Sequence, residues 1–137
     1  MAALQEFRDA QEPVWDQVVR ELRAGRKTSH WIWWVFPQLR ELGRSPRARH
    51  FGLTGLDEAA TYLGDPVLGP RLAQAARLVL ETGADPVAVL GEVDALKLRS
   101  SMTLFERVEG ADPVFAEVLD RLYDGRRCEV TRQRTGA

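Results

Sequence analysis

Apolar positions recur at three- and four-residue spacing through most of the chain, the period of an amphipathic helix. Val14, Val18 and Leu22 form one such stripe behind Pro13, and Gly25 closes it. Leu72, Ala75, Ala76, Val79 and Leu80 form a second, ended by Gly83. Val114, Phe115, Val118, Leu119 and Leu122 form a third within 113–124, with Gly125 after it. Residues 92–105 read as a longer helix and 85–90 as one or two turns. Start signals repeat. Ser45-Pro46, Asp65-Pro66, Asp85-Pro86 and Asp112-Pro113 each set a cap residue before a proline at a first helical position. Asp57 can cap a helix over 58–63.

One stretch departs from this regularity. Residues 25–38 hold Trp31, Trp33 and Trp34, preceded by a basic, hydroxyl-bearing turn and followed by Pro37 and Gln38. Thr28 or Ser29 can cap a helix starting near His30, which Pro37 kinks or restarts over 37–42, and Gly43 stops it. A strand over 31–36 is the alternative, since aromatic and β-branched residues favour one, but no partner strand is evident. The pattern predicts an all-α fold: a single compact domain of about six to eight mostly short helices over 1–125. A polar C-terminal tail, 126–137, is expected to fray.

Composition narrows the function classes. Of 137 residues 45% are hydrophobic and 28% charged, enough for a core without disulfides or metal. The net charge of −1 gives no global field to recruit nucleic acid. The one cysteine, Cys128, fits a reducing compartment. No apolar run approaches a membrane span, and the N-terminus lacks a signal-peptide core, so a cytoplasmic location is expected. The common metal and nucleotide fingerprints do not occur, and no cofactor is expected.

Three constellations could carry chemistry. The turn Arg26, Lys27, Thr28, Ser29 and His30 gathers cations, hydroxyls and amide hydrogens at a helix start, a plausible seat for an anion. The alternative is a solvated basic turn with an ordinary cap. His30 could serve as a general acid or base, or be a half-buried ring satisfied by a carbonyl. The aromatic run cannot all face one core, because successive helical residues turn by ~100°. A ring such as Trp31 or Trp34 could therefore stack on a ligand, with Gln38 at its edge.

The third lies in 94–105. On a helical wheel Asp94, Lys97 and Ser101 fall within the same ~160° arc as Leu98, Met102, Leu104 and Phe105, with Arg99, Thr103 and Glu106 opposite. Charges on an apolar face must pair or line a wet cavity. An Asp94–Lys97 pair serving structure is one reading; a site holding a ribose and a phosphate is the other. Arg40, Arg44, Arg47, Arg49 and His50 form a local basic patch, read as solvated loop or anion patch. Cys128 lies among arginines in the tail.

Gly25 through Leu39, the segment Leu42-Gly43-Arg44-Ser45, the run Tyr62 to Leu72, and Asp94 with Lys97 to Phe105 together resemble the bacterial "domain of unknown function 1810" family. That resemblance covers nearly the whole chain and implies a mainly helical fold. More loosely, the later half is similar to helical NADAR domains, linked to ADP-ribose and NAD chemistry. This second resemblance implies that Asp94, Lys97 and the turn from Arg26 to His30 hold a ribosyl phosphate and that a tryptophan stacks on a base. It makes Asp94 the candidate carboxylate for cleaving an N-glycosidic bond, with His30 as a candidate acid or base. The expected partner is then an anionic nucleotide-like small molecule. The alternatives are a non-catalytic metabolite-binding module and a protein-interaction domain using the Trp-rich surface.

Overall fold

The computed structural model, which describes residues 2–136, puts all four cap–proline signals to use. Ser45 Oγ accepts the Ala48 amide (3.1 Å) and Asp85 accepts that of Val87 (2.9 Å). Asp112 accepts that of Val114 (2.9 Å), and Asp65 those of Val67 and Leu68. Each satisfies amides that a helix start leaves unpaired. The helices in order are α1 (Leu4–Gln11), α2 (Trp15–Ala24), α3 (Ile32–Val35), α4 (Pro46–His50), α5 (Leu56–Gly64), α6 (Leu68–Thr82), α7 (Pro86–Leu90), α8 (Glu92–Glu106), α9 (Val114–Leu122) and α10 (Glu129–Arg134). A 3-10 turn, Arg40–Leu42, lies between α3 and α4.

The protein is all-α, in one domain. Six of the ten helices among the described residues have eight residues or more; the other four are pieces of four to six, which raises the number above the expected six to eight. The short pieces lie where Pro and Gly punctuate the chain. Asp57 falls inside the first turn of α5, and Gly55 takes the cap position instead.

The two fifteen-residue helices, α6 and α8, form the spine, and α9 packs on both. Helices α2 and α5 flank α6, while α7 and α10 flank α8. A relay of rings crosses the core: Phe7 to Tyr62 (5.2 Å), Tyr62 to Phe105 (5.4 Å) and Phe105 to Phe115 (5.9 Å). It links α1, α5, α8 and α9, and each ring pair contributes about 1 kcal/mol beyond area burial. Burial pushes the Tyr62 phenol well above its ordinary range, so it remains a neutral hydroxyl beside Gln11 (3.1 Å).

Helix α8 differs from its wheel. Ser100 through Phe105 are all buried, Thr103 on the expected outer face included. The reason is the C-terminal segment. Cys128 is buried and its amide donates to Thr103 Oγ1 (3.0 Å). Arg127 grips Glu106 with two nitrogens (2.9 and 3.0 Å) and also reaches Asp120 (2.6 Å). The hydrogen bond to Glu106, foremost, lifts the guanidinium pKa further still. The expected frayed tail is therefore a docked strap ending in α10.

Candidate functional site

The basic turn after α2 is built on a residue that the pattern did not single out. Glu21 lies in the last part of α2 and is 7% exposed. Its Oε1 accepts the amides of Thr28 (2.7 Å) and Ser29 (3.0 Å) and the Trp31 indole hydrogen (3.1 Å). Its Oε2 accepts the Ser29 hydroxyl. Burial alone would raise the carboxyl pKa. The Ser29 hydroxyl, the two amides and the indole outweigh it and bring the pKa down to about 2. Of the turn from Arg26 to His30, Thr28 and Ser29 thus hold an anion, and it is the protein's own carboxylate. Neither Thr28 nor Ser29 caps α3, whose cap position is Trp31. The signal available in the sequence was an acid one position before Leu22 of the apolar stripe, four residues ahead of Gly25.

Trp31 is 1% exposed, with its indole on Glu21 and its ring 5.0 Å from the Lys27 ammonium. It has no face left for a ligand. Arg26 and His30 are exposed, and His30 pairs with nothing among the described residues. The Trp34 ring packs edge-on against Phe51 (5.5 Å), and its carbonyl accepts from Gln11 (2.5 Å).

Lys27 turns the other way. Its amide donates to Val89 O (2.7 Å), tying the turn to α7. Its ammonium meets Asp94 Oδ2 at 2.8 Å, and the side chain is only 6% exposed. The other carboxylate oxygen, Oδ1, faces Lys97 Nζ at 4.0 Å. Lys97 makes no hydrogen bond among the described residues. Its ammonium lies 5.5 Å from the Trp33 ring. The helical wheel placed Asp94 and Lys97 on one face, and the structure brings Lys27 to them. Ser101 shares that face but is fully buried, with its hydroxyl unpartnered.

From this junction a cleft of about 330 Å³ opens between the first half of α8 and the segment 38–48. Gln38, Arg44, Ser45, Lys97 and Ser100 supply its polar groups. Leu42, Ala48, Val93 and Leu96 supply its apolar walls, and no carboxylate lines it. The hydroxyl at the cleft is that of Ser100, one position before the expected Ser101; it donates to Leu96 O (3.1 Å).

Gln38 is 9% exposed, yet its side-chain amide makes no hydrogen bond among the described residues. Its backbone is fixed. Leu53 N donates to Gln38 O (2.9 Å) and Arg40 N to Leu53 O (2.8 Å), an isolated parallel bridge. Gly52 makes the bridge feasible: a Cβ there would lie 2.4 Å from Arg40 Cα. The amide is absent from the protein's buried unpaired groups and lines the cleft, where it is free to bind water or a ligand.

No group of three His, Cys, Asp or Glu residues able to hold a metal occurs among the described residues. None of their helices is long and apolar enough to cross a membrane.

Comparison with known proteins fits this architecture. The crystal structure of the conserved hypothetical protein Rv1873 from Mycobacterium tuberculosis superposes with a TM-score of 0.94. It is 45% identical, and the match covers 98% of this chain and 96% of that one. No curated protein matches. The model of the family described as "Protein of unknown function (DUF1810)" matches residues 1–135, and the chain belongs to that family.

Proposed function

We propose that the cleft between α8 and the segment 38–48 binds a small anionic metabolite. The observation that carries this is a cleft without a carboxylate whose walls hold the loosely paired Lys97 and Gln38, a largely buried residue whose side-chain amide has no partner among the described residues. A cleft of this size lies at the lower end of small-molecule sites. Arg44 at the same cleft adds a second cation. The single cysteine supports a reducing, cytoplasmic setting.

A thermal-shift screen with phosphate, mononucleotides, ADP-ribose, NAD and simple carboxylates tests the reading. A ligand at a hundred times its Kd adds about 2.7 kcal/mol to stability. A shift that Lys97→Met abolishes supports the cleft. A shift that survives Lys97→Met puts the site elsewhere.

A narrower reading makes the ligand nucleotide-like and has Asp94 assist cleavage of its N-glycosidic or ADP-ribosyl bond. What favours it is Asp94 Oδ1 beside Lys97, on a side chain still 18% exposed. Asp94→Asn should then retain binding and lose turnover. An interaction surface built on the tryptophans has less support, since Trp31 is buried and Trp33 and Trp34 are partly so.

A further inference from the structure

We infer that the cleft selects a monocarboxylate carried on an apolar body, in preference to a phosphate ester. This rests on the anion-cleft reading and names the chemistry of the anion.

Charge comes first. Two ammoniums share one carboxylate, and the sharing is unequal: Lys27 is paired at 2.8 Å, while Lys97 stands off at 4.0 Å. One half-buried positive charge is therefore left over, on a side chain 22% exposed. A monoanion neutralises it. A phosphate dianion at the same place leaves a surplus negative charge beside Asp94, and in a partly desolvated site like charges repel strongly. Arg44, the second cation at the cleft, is exposed, so water screens it and it offsets little of that surplus.

Shape points the same way. Behind the cleft is a cell of about 10 Å³ that shares Gln38, Ala48 and Lys97 with it. Ile32, Trp33, Phe36 and Phe51 close the cell. That is room for about one oxygen-sized group. A planar carboxylate can pass a single oxygen inward between Gln38 and Lys97. A phosphoryl group that does the same leaves two further charged oxygens outside the cell, in a cleft walled partly by Leu42, Ala48, Val93 and Leu96. The donors for that oxygen are unspent: the Gln38 amide and the Lys97 ammonium. The Trp33 indole hydrogen, on a ring in the cell wall, is also buried without an acceptor.

The outer cleft supplies the rest of the ligand's character. Val93 and Leu96 stand one turn apart on α8, 65% and 56% exposed, at a cleft whose other apolar groups are Leu42 and Ala48. A hydrocarbon or aryl body attached to the carboxylate would cover them, and removing that surface from water favours binding.

The test uses the full chain and five probes: phenylacetate, 4-methylpentanoate, phenylacetamide, phenyl phosphate and AMP. The two carboxylates should raise the melting midpoint by about 4 °C at ten times their Kd. Phenylacetamide, equal in shape and neutral, should not. Phenyl phosphate and AMP should bind at least tenfold more weakly. Lys97→Met should weaken carboxylate binding by about 10- to 100-fold. Gln38→Glu supplies a second variant that keeps its fold: the new carboxylate faces Lys97, holds or raises the midpoint of the free protein, and shuts out the ligand's own carboxylate. If phenyl phosphate or AMP binds as tightly as the carboxylates, the anion cleft stands and the carboxylate preference is overturned. Silence with all four anions, or binding indifferent to both variants, overturns both.

Discussion

The turn around Glu21 and the cleft around Gln38 are both polar, both largely buried, and both flanked by tryptophan. They differ in how their hydrogen bonds close. At Glu21 two amides, a hydroxyl and an indole converge on one carboxylate, and the set is complete within the protein. At the cleft an amide without a partner among the described residues and an ammonium held only loosely by Asp94 share one cavity wall. A closed set strengthens the fold, since leaving its donors unpaired would be costly. An open set does little for the fold and stays available to water or to a ligand. A concentration of donors therefore does not mark a binding site.

The comparison predicts unequal mutants. Glu21→Ala should cost the most, about 3–4 kcal/mol by urea unfolding, because four buried or half-buried donors lose their acceptor at once. A loss below about 1 kcal/mol would break the contrast. The same carboxylate sets an acid limit. Its folded pKa of about 2 lies below the ordinary value of 4.5, so its contribution of about 3 kcal/mol is complete above pH 4.5. That contribution is lost as the pH falls toward 2. Asp65 acts with the same sign: burial opposes ionisation there, but the Leu68 and Val67 amides and Arg8 outweigh it and lower the pKa. Unfolding followed between pH 5 and pH 2 should show the decline, and Glu21→Gln should flatten it.

Gly52→Ala comes next, at about 2–3 kcal/mol, since the added methyl would strike the Arg40 backbone. It attacks the support of the cleft rather than the cleft, so stability and ligand binding should fall together. Thr103→Val should cost about 1 kcal/mol by removing the acceptor of the Cys128 amide. If hydrogen exchange at Cys128 stays slow in that variant, the strap is held by Arg127 alone. The smallest effects belong to the open set. Gln38→Leu and Lys97→Met should each change stability by less than about 1 kcal/mol, because neither side chain has an internal hydrogen bond to lose. A large loss at either position would show that the cleft is structural.

The helical architecture was legible because its signals are local. Cap residues before prolines and glycines after apolar stripes act within four residues, and all four cap–proline pairs operate. Asp94 and Lys97 were legible as an inward pair because the helical period carries that information. Lys27 as their third member was not, because its approach depends on how the turn docks against α7. Glu21 was missed for a related reason: its partners follow a glycine turn, so its role is a product of chain reversal. The strap was missed because the C-terminal sequence is polar and its docking uses long-range partners, Glu106, Asp120, Thr103 and, through Arg134, Glu41. Overlooking it also made Thr103 look exposed. Ser100 and Ser101 exchanged roles because one step of ~100° on a helix decides between the cleft and the core.

Trp33, with the Lys97 ammonium 5.5 Å from its ring and the Arg47 guanidinium 4.9 Å from it, gives the protein an optical readout of its own. Indole emission responds to nearby charge, and neutralising Lys97 alters the field on this ring. Trp31 is sealed against Glu21 and meets Lys27 rather than Lys97. Comparing the emission of the protein with that of Trp33→Phe isolates the signal of one ring, and occupancy of the cleft can then be followed by light, without a label.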